Sequence, residues 1–221
     1  MTPPPFPEST AVAGSGIAVD TDMAEVSRGL VSVLTDISRL VRPRIAVMVL
    51  VTVSAAAWIT AGGDRLPVAA FAGLLVGTAL VASSSSIANQ ILERDTDRLM
   101  PRTANRPIVA GRLSVAAAWW LAAASLIIGL AVMVRACGWQ PAVAAVATWL
   151  VYVVIYTPMK RWSPLNTAVG AIAGALPVAI GWAAAAGPAR LAAGDGAAAL
   201  AVGALGTVLY LWQFPHFMAI A

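Results

Sequence analysis

Six apolar stretches constrain this chain more than any other feature: residues 45–61, 67–92, 113–134, 141–158, 165–186 and 197–221. A bilayer core of ~30 Å takes roughly 20 apolar residues per helix, and each stretch meets or approaches that length. Their Ala, Leu, Val and Gly content suits helices. Strands of a membrane barrel would be shorter and would alternate in polarity. Backbone groups in lipid must hydrogen-bond inside their own segment. The sequence therefore predicts an all-α fold, a polytopic transmembrane helical bundle. At 60% hydrophobic and 11% charged, the chain is too apolar for an ordinary soluble domain.

The net charge of +4 does not indicate nucleic acid, because the basic residues alternate by loop. Four precede the first stretch (Arg28, Arg39, Arg42, Arg44), five follow the second (Arg94, Arg98, Arg102, Arg106, Arg112) and two follow the fourth (Lys160, Arg161). The other three connections hold one each: Arg65, Arg135 and Arg190. Basic residues concentrate on the cytoplasmic side of a membrane protein. The N-terminus and the second and fourth loops are thus expected in the cytoplasm, with the bilayer of the cell's inner (plasma) membrane as the principal partner and no nucleic acid.

Residues 1–22, rich in Pro, Ser and Gly, read as a disordered tail. They lack the basic start and apolar core of a secretory signal. Between Met23 and Val41 the apolar residues Met23, Val26, Leu30, Val33, Leu34, Ile37 and Val41 recur at helical spacing. Residues 23–44 thus read as an interfacial amphipathic helix that enters the membrane at Arg42-Pro43-Arg44. A transmembrane domain fills 45–221. Cys137 is the only cysteine, which excludes an internal disulfide and a cysteine metal site. Gly73/Gly77 and Gly170/Gly174 are small-xxx-small pairs that let helices approach closely. The hydroxyls of Ser83–Ser86 either line a cavity or bond back to backbone carbonyls.

The chemistry concentrates in residues 89–107. Of the five acidic residues beyond Asp36, three fall here: Glu93, Asp95 and Asp97. Asn89, Glu93 and Asp97 are spaced i, i+4, i+8, so a helix presents them along one face. One amide oxygen and two carboxylates are hard ligands that suit Mg²⁺, which binds through one or two carboxylates plus substrate phosphates. Asp95 points elsewhere, toward Arg94 or Arg98. Arg98, Arg102 and Arg106 follow at four-residue intervals, and guanidinium forks bind phosphate oxygens in pairs. Pro101 and Pro107 forbid one continuous helix through them. Acidic groups alone would repel a diphosphate; a metal bridges the two. Lys160 and Arg161, after Tyr156-Thr157, sit on the same membrane side, and spacing alone leaves them as either topology anchors or phosphate ligands. His216, the only histidine, is a proton carrier, a haem-iron ligand or an interfacial residue bonded to backbone.

Asn89-x-x-x-Glu93-x-Asp95-x-Asp97, followed by Arg102-Thr-Ala-Asn105-Arg106-Pro107, resembles the UbiA-type intramembrane prenyltransferases. Arg42-Pro43-Arg44, Tyr156-Thr157 with Lys160-Arg161, Asn166 through Gly170, Gly174, Pro177, Gly181-Trp182 and Phe214-Pro215-His216-Phe217 are similar to its haem branch, the protohaem IX farnesyltransferases (haem O synthases). The resemblance spans residues 38–221. It implies nine helices, of which six are present, around a central cavity, with Mg²⁺ as cofactor. The reaction it implies transfers a farnesyl group from farnesyl diphosphate to a vinyl group of haem b, with haem A synthase as a downstream partner. Asn89, Glu93 and Asp97 would hold the metal. Arg98, Arg102, Arg106, Lys160 and Arg161 would bind diphosphate, and a haem or proton role falls to His216 and Tyr156. Position 93 is Glu where the family usually has Asp. The family's second aspartate-rich motif, after helix six, is absent, so the resemblance implies an N-terminal portion with little activity alone. A quinone-ring or chlorophyll-type acceptor fits Asn105-Arg106-Pro107 and Phe214-Pro215-His216 less well. A transporter or scaffold leaves the Asn89/Glu93/Asp97 face unexplained.

Overall fold

A computed structural model describes residues 29, 31–64 and 66–220, with side chains described as far as Pro215. The chain divides into two compact units, Met1–Ile37 and Ser38–Ala221. In the first, residues 29 and 31–37 are helical, and Val31, Val33, Leu34 and Ile37 are half or more exposed. The expected disordered tail, residues 1–22, and residues 23–28 of the expected interfacial helix lie outside the described residues.

The second unit holds six helices long and apolar enough to cross a membrane. They are α1 (Pro43–Ala61), α2 (Val68–Leu92), α3 (Val115–Cys137), α4 (Trp139–Met159), α5 (Asn166–Ala184) and α6 (Ala197–Ile220). At 1.5 Å per residue they run roughly 28 to 38 Å, enough for a bilayer core. Among the described residues there is no strand. Each apolar stretch of the sequence thus became one helix, with ends shifted by a few residues. Ser114 moves the start of α3 to Val115 by capping it, its hydroxyl accepting from the Ala117 N–H at 3.2 Å. Gly138 alone separates α3 from α4, where the sequence left residues 135–140 as a loop. Its φ of 85° is open to glycine at no steric cost, so one residue makes the turn. Pro177, which has no N–H, divides α5 into Asn166–Ala175 and Pro177–Ala184.

Small residues set the packing. A Cβ on Gly77 would stand 2.5 Å from the Met133 Cγ and 2.8 Å from the Gly129 carbonyl, so α2 and α3 touch nearly backbone to backbone. Gly73 meets Ala136 in the same seam. Gly181 brings α5 onto the Val53 carbonyl of α1. Around these seams Val53, Leu74, Val81, Met133 and Ile180 form a buried core. A second cluster of Leu40, Ile87, Ile108, Ala118 and Ala122 pins the loop after α2 against α2 and α3. Trp58, Trp120 and Trp162 are more than three-quarters exposed, the disposition of aromatic residues at a membrane interface.

Candidate functional site

Three departures from regular helix build the charged end of the bundle. Pro43 disfavours right-handed helix at the residue before it, and Arg42 adopts φ 52°, ψ 66°. The helical turn ahead of it stops there and α1 starts afresh. At Glu93 (φ −90°, ψ 1°) α2 ends and the short turn Arg94–Asp97 begins. The four-residue bonding nevertheless continues, from the Glu93 N–H to the Asn89 carbonyl (2.9 Å) and from the Asp97 N–H to the Glu93 carbonyl (2.8 Å). Asn89, Glu93 and Asp97 therefore follow one helical path, as their spacing predicts. In α4, residues Val151–Tyr156 widen into π-helix. The Thr157 hydroxyl donates to the Tyr152 carbonyl five residues back, at 2.9 Å. Such widened turns are frequent at functional sites.

Each of the three residues on that path meets a basic side chain. The Arg42 guanidinium donates to Asn89 Oδ1 at 3.1 Å, and Asn89 Nδ2 donates to the Thr157 hydroxyl at 3.2 Å. Lys160 Nζ donates to Glu93 Oε1 at 2.8 Å while resting 4.5 Å from the centre of the Tyr156 ring. Arg106 forms an ion pair with Asp97 Oδ2. Asp97 is only 4% exposed, and its carbonyl accepts from the Thr103 hydroxyl at 2.7 Å. Burial holds the Arg106 guanidinium below the ordinary arginine range; the charge of Arg42 pushes the same way and that of Asp97 opposes. Arginine still remains protonated at neutral pH. Three cations (Arg42, Arg106, Lys160) thus face two carboxylates (Glu93, Asp97), a net +1 cluster around mostly buried polar groups.

The other basic residues of the loops lie apart from this cluster. Arg98 reaches Asp95 at 3.8 Å and Arg94 reaches it at 3.4 Å, the pairing expected for Asp95. Arg102 is exposed. Arg161 donates to the Leu92 carbonyl at 2.9 Å, closing the end of α2. Of the pair left open by spacing, Lys160 joins the acidic face and Arg161 does not. Arg39 and Arg112 both donate to the Asn105 carbonyl, at 3.1 and 2.9 Å, and hold the loop that carries Arg106. The backbone of His216 lies inside α6; its side chain is outside the described residues.

Beneath the cluster, α1, α2, α4, α5 and α6 surround a cavity of about 380 Å³. Its polar lining includes Arg42, Ser86, Tyr152, Tyr156 and Gln213; Val49, Val81, Ile180 and Leu209 line it elsewhere. That volume is in the range of small-molecule sites. Gly170 and Gly174, whose missing side chains make room for the Tyr156 ring and the Gln213 amide, are two of its lining residues. The serine run does both things its sequence allows. Ser83 and Ser85 bond back to the carbonyls of Ala79 and Val81, and Ser85 and Ser86 line the cavity. A second hollow of about 430 Å³, between α5 and α6, has none of the charged loop residues in its lining.

Among the described residues no three His, Cys, Asp or Glu side chains gather to hold a metal by themselves. Two carboxylates and one amide do suit Mg²⁺ that takes its remaining oxygens from a phosphate. Sequence reasoning missed two members of the cluster, Arg42 and Thr157. Arg42 entered the sequence reading as a basic residue at the membrane entry and within Arg42-Pro43-Arg44 of the resemblance, and Thr157 within Tyr156-Thr157, neither with a role in the site; the place of Arg42 directly before Pro43 was the available signal.

The model of the UbiA prenyltransferase family matches residues 49–221. A protoheme IX farnesyltransferase of Rhodopirellula baltica is 49% identical, over 82% of this chain and 60% of its own length. One from Christiangramia forsetii is 37% identical, over 86% of this chain and 59% of its own. This chain thus spans about three-fifths of the length of these curated relatives. A UbiA homologue from Archaeoglobus fulgidus, solved bound to GPP and Mg²⁺, shares the fold with a TM-score of 0.59 at 20% identity, over 82% of this chain and 62% of its own. The same homologue bound to DMAPP and Mg²⁺ gives 0.53 at 22% identity, over 68% and 53%. With six apolar helices and a family match over residues 49–221, the chain is an integral membrane protein that belongs to the UbiA prenyltransferase family.

Proposed function

We propose that this protein transfers a farnesyl group from farnesyl diphosphate to a vinyl group of haem b, giving haem O, which a haem A synthase would consume. The observation that carries the reading is the Asn89/Glu93/Asp97 path met by Arg42, Lys160 and Arg106 at the polar end of an apolar cavity. The farnesyltransferase relatives support the haem acceptor. The Mg²⁺ and prenyl diphosphates of the Archaeoglobus homologue support the donor side.

Asn89, Glu93 and Asp97 would hold Mg²⁺, which supplies charge neutralisation for the diphosphate leaving group. Arg106 and Lys160 exchange partners as substrate arrives. They release Asp97 and Glu93 and turn to the diphosphate oxygens, so no buried charge stands unpaired before or after. Arg42, which donates to Asn89 Oδ1 in the free protein, would turn to the same anion as a third donor when Oδ1 takes the metal. These cations stabilise negative charge that grows as the allylic carbon–oxygen bond breaks, and such preorganised donors are usually the largest catalytic contribution. The cavity keeps the cation-like prenyl group away from water until a vinyl carbon attacks it; the positive charge this leaves on the neighbouring vinyl carbon is then taken by a water molecule, which loses a proton and becomes the hydroxyl of haem O, and diphosphate departs as the leaving group. Arg98, Arg102 and Arg161 serve at the site's entrance or its frame. We place the basic loops and the N-terminus on the cytoplasmic side of the inner membrane, from the eleven-to-three distribution of basic residues. Residues 45–221 form the prenyltransferase domain in this reading, entered through the amphipathic segment 23–44.

The test is to express the full-length protein in a host lacking haem O synthase and to identify extracted haems by mass spectrometry. Haem O is the expected product. Unmodified haem b together with a prenylated quinone ring would reject the haem acceptor.

A further inference from the structure

Arg42, whose guanidinium meets Asn89, stands on an unusual stretch of backbone. Arg42 is one of two non-glycine residues at positive φ among the described residues. Left-handed backbone is unfavourable for a side chain and persists where surrounding structure enforces it. The exit from helix at Arg42 also leaves the carbonyls of Arg39 and Leu40 without helical partners. Both are taken by α2. Gln90 Nε2 donates to the Leu40 carbonyl at 2.8 Å and to the Arg39 carbonyl at 3.2 Å. The Ser86 hydroxyl donates to the Leu40 carbonyl at 2.7 Å. Ser86, Asn89 and Gln90 are spaced i, i+3, i+4 and share a face. The last turns of α2 therefore grip both the backbone of the elbow, through Ser86 and Gln90, and its side chain, through Asn89 Oδ1.

Gln90 is fully buried, and its Oε1 has no partner among the described residues. The amide cannot turn over, because Nε2 already faces three carbonyls, those of Arg39, Leu40 and Ser86. A buried acceptor without a donor is unfavourable. An amide used for packing alone would be better replaced by leucine; the polar head is required by the elbow.

We propose that Gln90 is a positioning residue for substrate binding. It fixes the Arg39–Arg42 elbow in its left-handed turn and so keeps the Arg42 guanidinium on Asn89, ready for the diphosphate. The inference rests on the diphosphate reading of the site given above.

The test is a double-mutant cycle on the full-length protein in lipid nanodiscs, with inorganic pyrophosphate and excess Mg²⁺ as the probe. Affinity is measured by calorimetry, and thermal stability is followed separately. Arg42→Ala weakens pyrophosphate binding about a hundredfold and Gln90→Leu about tenfold, from the loss of one charged contact and of its support. The double variant is no weaker than Arg42→Ala alone. A general structural role for Gln90 would make the losses multiply to about a thousandfold, and that result overturns the proposal. Ser86→Ala, which removes one donor and leaves Gln90 in place, is carried beside it in case Gln90→Leu does not fold; about threefold weaker binding is expected. Wild-type protein that does not bind pyrophosphate overturns the diphosphate reading itself. Binding that is lost in Arg42→Ala but intact in Gln90→Leu or Ser86→Ala overturns only the positioning role.

Discussion

Replacing Arg106 by glutamine should tighten the binding of Mg²⁺ in the absence of diphosphate. Asp97 lies at 6% side-chain exposure against an Arg106 that is 21% exposed, so their ion pair is well shielded from water. A charge-assisted hydrogen bond of this kind contributes about 2 kcal/mol. A metal that takes the Asp97 carboxylate on its own must first displace that guanidinium. Removing the competitor returns the same energy to the metal, about a 30-fold gain in affinity. Diphosphate should move in the opposite direction, because Arg106 is one of its donors. The variant should also be less stable without metal, since a buried carboxylate loses its charge partner, and added Mg²⁺ should restore it by mass action. Calorimetric titration of Mg²⁺ and, separately, of pyrophosphate into wild type and Arg106→Gln gives both signs. Mg²⁺ affinity that is unchanged or weaker in the variant would refute partner exchange at Asp97.

Lys160→Gln should show the same pattern more weakly, about fivefold for the metal, because its side chain is 33% exposed and solvent already screens the pair with Glu93. Gly181→Ala should cost about 2 kcal/mol in a detergent thermal-shift series, since its new methyl group would press on the Val53 carbonyl across the α1–α5 seam. Gly203→Ala, with nothing within 4 Å of its Cβ, should be neutral in the same series. In a Cys137→Ser background, Leu99→Cys should react with a membrane-impermeant maleimide only in inverted vesicles, and Ala193→Cys only in intact cells; both positions are exposed. The reverse labelling would invert the proposed orientation.

The bundle was legible in the sequence because lipid leaves one backbone solution, and because hydrophobic length alone marks each span. What the sequence does not carry is how the spans begin and end. Gly138 turning α3 into α4 by itself, and Pro177 dividing α5, depend on local backbone geometry. In the site, the Asn89/Glu93/Asp97 spacing survived even though α2 stops at Glu93, since the four-residue hydrogen bonds continue through the break. The cations were harder to assign. Arg98, Arg102 and Arg106 share one spacing, but the turns after Pro101 bring only Arg106 back to Asp97. Arg42 and Thr157 reach Asn89 from 47 and 68 residues away, through a left-handed elbow and a π-helical turn that no periodicity announces.

The most direct test of the central claim is a transfer assay with the purified full-length protein in nanodiscs, supplied with farnesyl diphosphate, Mg²⁺ and equal amounts of haem b and a quinone-ring acceptor. Mass spectrometry should find the farnesyl adduct on haem alone, dependent on Mg²⁺ and reduced about a thousandfold or more by Asp97→Ala. Transfer to the quinone ring, transfer without Mg²⁺, or a wild-type rate in Asp97→Ala would contradict the account.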